Sequence, residues 1–360
     1  MPDRRWSRNM VAKVALITGI TGQDGGYLAE LLVARGYDVH GLVHRPASDG
    51  GGRLRSIART AAARGTNFAL HDGDLGDAER ITGLVEALTP DEVYNLAAQS
   101  VIPASFEIPD ETASINALGA LRLLGAIHRL GLAGKSRFYQ ASSSELFGNV
   151  PGDSQSEVTP FHPASPYAVA KLYAYWIAVN YRESFGLHAS NGILFNHESP
   201  YRGVNFVTRK ISRGVAAMSL GDKGPLKLGN LDVERDWGHA RDYVEGMWLM
   251  LQQPQADDYV LATGETHTVR EFVEHAFACV NRRIQWHGEG VDAKGLDADS
   301  GAVLVEIDPA LMRRTEIFRR RGDATKAREM LGWRHKTTFD ELVREMVRAD
   351  IVALQSKSSG

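Results

Sequence analysis

Tyr167 and Lys171 stand four apart in SPYAVAK, which puts a phenol and an ammonium on one face of a helix. A phenol that gives up its proton near neutral pH needs a neighbouring positive charge, and the ammonium supplies one. Ser165 and Pro166 precede the pair as a helix cap and a first helical residue. A second cluster, QASSSELFG at residues 140–148, runs from Phe138 and Tyr139 into Ser142, Ser143 and Ser144 and then a carboxylate, Glu145. A third, TGITGQDG, contains Gly19, Thr21, Gly22, Gln23, Asp24 and Gly25. Its glycines let the backbone turn tightly and approach a pyrophosphate, while the helix that follows offers free N–H groups and a positive dipole end.

These residues need elements to hold them, and the sequence alternates strand and helix patterns. Residues 11–18 form an apolar run of the kind that a strand buried on both faces shows. A helix is expected over 26–35, ending at Gly36, then strands over 38–43 and 67–72. A helix over 78–88, a strand over 92–96 and one long helix over 112–130 follow. A strand over 137–141 leads into the serine cluster, a helix spans 167–185, and a strand spans 189–195. Repeated βα units predict an α/β fold with a Rossmann-like, doubly wound parallel sheet. Beyond Asn196 the rhythm breaks up; 259–262 reads as one further strand, 268–280 as a helix with a Thr268–Glu271 capping box, and 288–302 as an exposed loop or hairpin. The expected division is a dinucleotide-binding part, 11–199 plus about 237–263, and a smaller mixed substrate-binding part, about 200–236 plus 264–354. Residues 1–10 and 355–360 are expected to be disordered tails.

Composition narrows the function classes. The chain has 360 residues, 43% hydrophobic and 24% charged, with a net charge of −3, so no global basic field invites nucleic acid. Cys279 is the only cysteine, which excludes an intrachain disulfide or a cysteine-built metal site, and no metal is expected. No apolar run approaches the ~20 residues of a membrane span, and the start leads directly into a buried strand pattern; a cytoplasmic location is expected.

The second strand bears on the cofactor. NAD sites usually carry an acid there for the ribose 2′-hydroxyl. Here the strand ends VHGLVHRPASDGGGR, with His44, Arg45 and Arg53 and no acid at its end, which suits the 2′-phosphate of NADP. Asp74 and Leu75, after the third strand, are placed to flank the adenine.

With the glycine loop, serine-rich strand end and Tyr-x-x-x-Lys in this order, the sequence resembles the extended short-chain dehydrogenase/reductase superfamily, and within it the GDP-mannose 4,6-dehydratase family. The stretches TGITGQDGGYLAELL, VYNLAAQS, FYQASSSELFG, SPYAVAKLYAYWIAVNYRESFG, GILFNHESPYRG, FVTRKISR and LGNLDVERDWGHARDYVEGMWLMLQ carry it over about residues 12–350. The resemblance implies an enzyme that removes hydride from sugar C4, takes a proton from C5, expels water from C6 and returns the hydride to C6. It implies that Tyr167 takes the O4 proton, Lys171 holds the ribose and lowers the phenol's pKa, Ser143 hydrogen-bonds O4, and Glu145 is the C5 base and the acid for the departing water. Ser142 is expected to contact backbone or cofactor. For NADP it implies contacts from Leu96, Ala97, Ala98, Gln99 and Ser100, and from His197 and Arg202. Asn116 matches a position that fixes catalytic geometry; its alternative is a polar residue on an exposed helical face. For a GDP-sugar, GDP-mannose or a close relative, it implies Ser100, Asn196, Val207, Lys210, Arg235, Arg313 and Glu316, and it implies a homodimer or homotetramer.

The chain departs from the family at three places. Serine occupies position 143, where threonine is usual. HRPA stands for the usual Arg-Arg-Ser-Ser. RRTEIFRRRGD stands where the pattern runs Arg-Pro-x-Glu-Val-Asp-x-Leu-x-Gly-Asp, so Arg314 replaces the proline and Phe318 the aspartate. Ser143 keeps a GDP-sugar 4-epimerase or 4-keto reductase in view, Glu145 argues against it, and a GDP-heptose dehydratase is a variant of the leading reading.

Overall fold

Seven short runs rich in β-branched and aromatic residues pair into one sheet: β1 (Val14–Thr18), β2 (Asp38–Val43), β3 (Phe68–Asp72), β4 (Glu92–Asn95), β5 (Arg137–Ser143), β6 (His188–Leu194) and, after a long excursion, β11 (Tyr259–Leu261). Their order is β3-β2-β1-β4-β5-β6-β11, and every neighbouring pair is parallel. The structure, a computed structural model, describes residues 12–44, 52–312 and 317–358.

Period-two alternation buries both faces of this sheet. Leu16, Val93 and Phe138 point into one core with Leu124 and Ile127. Ile17, Tyr94 and Tyr139 point into the other with Leu28, Leu32, Val244 and Met247. The helices that cover these faces are α1 (Gln23–Ala34), α2 (Gly52–Arg64), α3 (Ala78–Leu88), the short α4 (Ile102–Glu107) and α5 (Pro109–Ala113), α6 (Gly119–Arg129), α7 (Pro166–Phe185) and α9 (Ala240–Gln252). α7 starts as its sequence dictates: the Ser165 hydroxyl accepts the Ala168 N–H at 3.1 Å, Pro166 is the first helical residue, and Gly186 ends the helix at φ +66°.

Beyond β6 the chain builds small sheets. β7 (Asn196–Glu198) pairs with β10 (Trp237–His239); β9 (Glu234–Arg235) lies between β12 (His267–Thr268) and β16 (Arg319–Arg320). β13 (Ile284–His287), β14 (Lys294–Asp297), β15 (Val303–Ile307) and β8 (Leu226–Leu228) form a four-stranded sheet. α8 (Val207–Ser219), α10 (Val269–Ala278) and α12 (Phe339–Ser358) enclose a separate core of Ile211, Val215, Phe272, Phe277, Val343 and Met346. The Thr268–Glu271 capping box forms in both directions. α11 (Thr325–Leu331) returns to the large sheet, where Ala324, Ala327, Leu331 and Trp333 join its core.

Several expectations change. Arg53, grouped above with the end of the second strand, lies on α2, which buries Leu54, Ile57 and Ala61 along one face, a pattern that the glycines before it and its many arginines disguise. The long helix expected over 112–130 is broken into α5, a π-helical turn at Ser114–Leu118 and α6. Residues 288–302 take the hairpin alternative: β14 turns back into β15 as an antiparallel pair. The expected C-terminal tail is helical through Ser358, while 1–11, the expected N-terminal tail included, lie outside the described residues, as do 359–360. No helix of the described residues is long and apolar enough to cross a membrane.

Candidate active site

The glycine loop sits at the β1–α1 turn, beside the point where strand order reverses between β1 and β4. Gly19 adopts φ +72°, and a Cβ there would lie 2.8 Å from the Ala97 nitrogen. A Cβ on Gly25 would lie 2.3 Å from the Gly19 oxygen and 2.5 Å from the Ile20 Cα. One glycine permits the turn and the other the helix–strand packing. Gly22 caps α1 without a side-chain hydrogen bond, and Thr21 and Gly22 are exposed, so the helix start is open to an anion. Thr18 ties the two sides of the crevice together: its hydroxyl donates to Asn95 Oδ1 at 2.8 Å and accepts the N–H groups of Leu96 and Ala97 at 3.1 Å.

Four other side chains lock α1 to β7. His197 Nε2 lies 2.8 Å from Asp24 Oδ2, and its Nδ1 lies 2.8 Å from the Phe195 carbonyl. Gln23 Nε2 donates to the His197 carbonyl at 3.0 Å, and Ser199 donates to Gln23 Oε1 at 2.8 Å. Burial disfavours charge on His197, but the Asp24 carboxylate prevails and its pKa ends above the ordinary histidine value. Burial likewise opposes charge on Asp24, and His197 holds it below the ordinary aspartate value. Gln23, Asp24 and His197 thus meet at the loop, with their polar atoms spent largely on one another.

The four expected catalytic side chains converge at the end of β5. Ser143 accepts the Glu145 N–H at 3.2 Å, and its hydroxyl faces Tyr167 so as to favour the ionised phenol. Lys171 is buried and donates to the Ala141 carbonyl at 2.8 Å; its ammonium lies 6.0 Å from the centre of the Tyr167 ring. A lowered phenol pKa, expected from the ammonium together with a nicotinamide's positive charge, is not reached by the protein alone. Burial pushes Tyr167 up to about 12, opposed by the Ser143 hydrogen bond and reinforced by the Glu145 carboxylate. Burial also pulls Lys171 down to about 8, so the ammonium itself is poorly stabilised here. Ser142, expected on backbone or cofactor, reaches the Asn191 side chain at 3.4 Å.

Glu145 has a partner that the sequence reading missed. Arg320 Nη1 donates to Glu145 Oε1 at 2.6 Å and Nη2 to Oε2 at 3.1 Å. Arg320 is 1% exposed. The available signal was an arginine at the place where the family pattern quoted above has leucine.

The remaining expected residues fall into three groups. Asn116 is buried within the π-helical turn; its Oδ1 accepts the Gln99 N–H at 2.8 Å and its Nδ2 donates to the Gln99 carbonyl at 2.9 Å. That excludes the exposed-face alternative and makes Asn116 the clamp of the β4 loop, with the local π geometry often found at functional sites. Gln99 Oε1 and Asn196 Oδ1 are buried and lack a hydrogen-bond partner among the described residues, so both have acceptors to offer a ligand. Ala97 and Ala98 are half-buried and Ser100 exposed beside them.

Among the cations, Arg202 pairs with Glu198 at 3.0 Å and stacks on Phe206. Lys210 and Val207 are half-buried on α8, with the Lys210 pKa pulled down by burial. Arg235 is buried and donates to the Glu234 and Ile317 carbonyls. His44 Nδ1 lies 2.6 Å from Asp74 Oδ2, and the Leu75 side chain joins the sheet core. Arg53 pairs with Glu30 at 2.8 Å and lies against the rings of Tyr27 and Tyr201. Arg45, Arg313, Arg314 and Glu316 lie outside the described residues.

A family profile described as GDP-mannose 4,6 dehydratase matches residues 16–346. A GDP-mannose 4,6-dehydratase of Sinorhizobium fredii is 55% identical over 95% of this chain and 98% of its own. The GDP-mannose 4,6 dehydratase of Homo sapiens is 52% identical over 95% of this chain and 92% of its own. Among solved structures, the UDP-glucose 4-epimerase of Thermus thermophilus in complex with NAD superposes with a TM-score of 0.75 at 25% identity, covering 94% of this chain and 98% of that one.

Proposed function

The chain belongs to the GDP-mannose 4,6-dehydratase family, and on that premise we propose that it converts GDP-mannose to GDP-4-keto-6-deoxymannose and water. The observation that carries the reading is the convergence of Ser143, Glu145, Tyr167 and Lys171 at one strand end. A dehydrogenase needs only the hydroxyl, the phenol and the lysine. The carboxylate beside them adds a base for the elimination.

The glycine turn, the open start of α1 and the orphaned Gln99 acceptor fit a nicotinamide dinucleotide, the class that the T. thermophilus relative holds. Such a cofactor supplies hydride acceptance at sugar C4 and its return at C6. We assign the finer preference to NADP, because β2 ends in His44 and Arg45 with no acid for a ribose 2′-hydroxyl. Thr21 and Gly22 would take the pyrophosphate, Lys171 the ribose, and Asp74 the adenine side.

In the reaction Tyr167, its phenol brought to ionise by the positive charge that a bound nicotinamide would add, accepts the O4 proton, with Ser143 fixing O4. Glu145 takes the C5 proton; the C5–H electron pair becomes the C5=C6 bond as the C6–O bond breaks. The proton then leaves Glu145 with the C6 hydroxyl as water, and the proton that Tyr167 took from O4 is returned to C5 as C6 regains hydride. We assign the sugar contacts to Ser100 and Asn196, and the nucleotide and diphosphate to Val207, Lys210, Arg235, Arg313 and Glu316. His197 and Arg202 would border the nicotinamide.

We further propose that 11–199 with about 237–263 is the cofactor-binding part and the remainder the sugar-nucleotide part, and that the protein is a cytoplasmic homo-oligomer. Exposed Val169, Tyr173 and Trp176 on α7, beside Phe106, Ile108 and Leu118, form an apolar stripe that a second copy would cover. Incubation with GDP-mannose tests the activity: loss of one water by mass spectrometry supports it. An unchanged mass with altered C4 configuration would point to a 4-epimerase instead.

A further inference from the structure

Arg320 stands out among the groups around the site. It is almost completely buried, it comes from β16, 175 residues along the chain from the glutamate it grips, and the family pattern has leucine at its position. Its place is built: β16 runs parallel to β9 with Arg320 opposite Arg235, and the Asp236 N–H donates to the Arg320 carbonyl at 3.1 Å. The guanidinium meets both oxygens of Glu145, the two-point geometry in which an arginine orients a carboxylate plane.

We infer that Arg320 is a positioning residue of the elimination step, fixing the Glu145 carboxylate and holding it in the anionic form that accepts the C5 proton. An opposite charge at hydrogen-bond distance favours ionisation, and a buried guanidinium is weakly screened. Among the described residues, the other charged and titratable groups brought near include Tyr167 from α7, whose phenol is kept protonated by burial and by Glu145 itself, and Arg235 beside Arg320 on β9. Asp236, next along the chain, is occupied by the N–H groups of Thr263, Gly264 and Gly322. Leucine at 320 would remove the guanidinium that meets both carboxylate oxygens. The chain therefore runs the family's elimination with a base that stays ionised to lower pH and cannot rotate freely.

The inference rests on the dehydratase reading for its role in turnover, but not for the state of Glu145, and the test separates the two. Arg320→Leu and Arg320→Lys would be compared with the unaltered protein in kcat/KM for GDP-mannose across pH. Independently, glutamate labelled with carbon-13 at its side-chain carboxyl would be titrated by infrared difference spectroscopy, with Glu145→Gln assigning the signal. In Arg320→Leu the acid limb and the Glu145 titration both move up by about one pH unit or more; in Arg320→Lys, which keeps the charge but loses the fork, the shift is smaller while kcat falls. Superimposable titrations in the unaltered protein and Arg320→Leu would overturn the inference, even if the lysine variant failed to fold. If GDP-mannose is left unchanged by the unaltered protein, the functional reading fails and the titration alone decides the inference.

Discussion

At the scale of residues, the account turns on two side chains with different burdens. Glu145 is the group that separates a dehydratase from a plain dehydrogenase. Replacing it with glutamine keeps size and shape but removes the base, so water loss should fall by at least ~100-fold while cofactor affinity, measured by fluorescence titration, stays within about twofold. Dehydration at the normal rate would place the base elsewhere. Tyr167 has the opposite problem: with its phenol pushed up to about 12 by burial, it is protonated at neutral pH in the protein alone. Ultraviolet titration of the free protein against Tyr167→Phe should show no difference in phenolate absorbance below about pH 10. A phenolate signal near pH 8 that disappears in the variant would contradict this assignment.

At the scale of elements, the α1 start is held by the Asp24–His197 pair, and its pH dependence has a definite sign. His197 is raised above the ordinary 6.5 despite burial, so its contribution to stability is complete below that value and is lost as pH rises through the raised one. Asp24 is depressed below 3.8, so its contribution is complete above that value and is lost as pH falls through the depressed one. Urea unfolding between pH 6 and pH 9 should therefore show the unaltered protein losing stability relative to His197→Gln; parallel curves would refute the ion pair. Gly25→Ala tests the same turn by sterics. Its Cβ meets main-chain atoms of Gly19 and Ile20, and the cost should be about 1–3 kcal/mol together with weakened cofactor binding.

The loop and α7 were legible beforehand because their signals are local: glycines, a serine cap, a proline and a four-residue spacing. α2 was not, because Gly50, Gly51 and Gly52 imitate a loop and its buried stripe is only Leu54, Ile57 and Ala61. The π-helical turn around Asn116 was hidden for a different reason. The partner that its Asn116 side chain clamps, the backbone of Gln99, lies 17 residues away in the chain. Arg320 was visible as an odd residue in a familiar pattern, but only pairing of β16 with β9 shows that it points at Glu145.

At the scale of the molecule, the site draws together elements far apart in the chain: β5 and α7 bring the acid–base groups, and β16, from the small β12-β9-β16 sheet, brings the arginine. The apolar stripe on α7 belongs to this scale too. Trp176→Glu should shift the protein toward smaller species in light scattering, leaving circular dichroism unchanged, whereas an unchanged mass would put any subunit contact elsewhere. The central claim is an elimination with internal return of hydride, and the most direct test uses GDP-mannose carrying deuterium at C4. The account predicts a product lighter by one water, with the deuterium now at C6. An unchanged mass, or a dehydrated product from which the label is missing at C6, would contradict it.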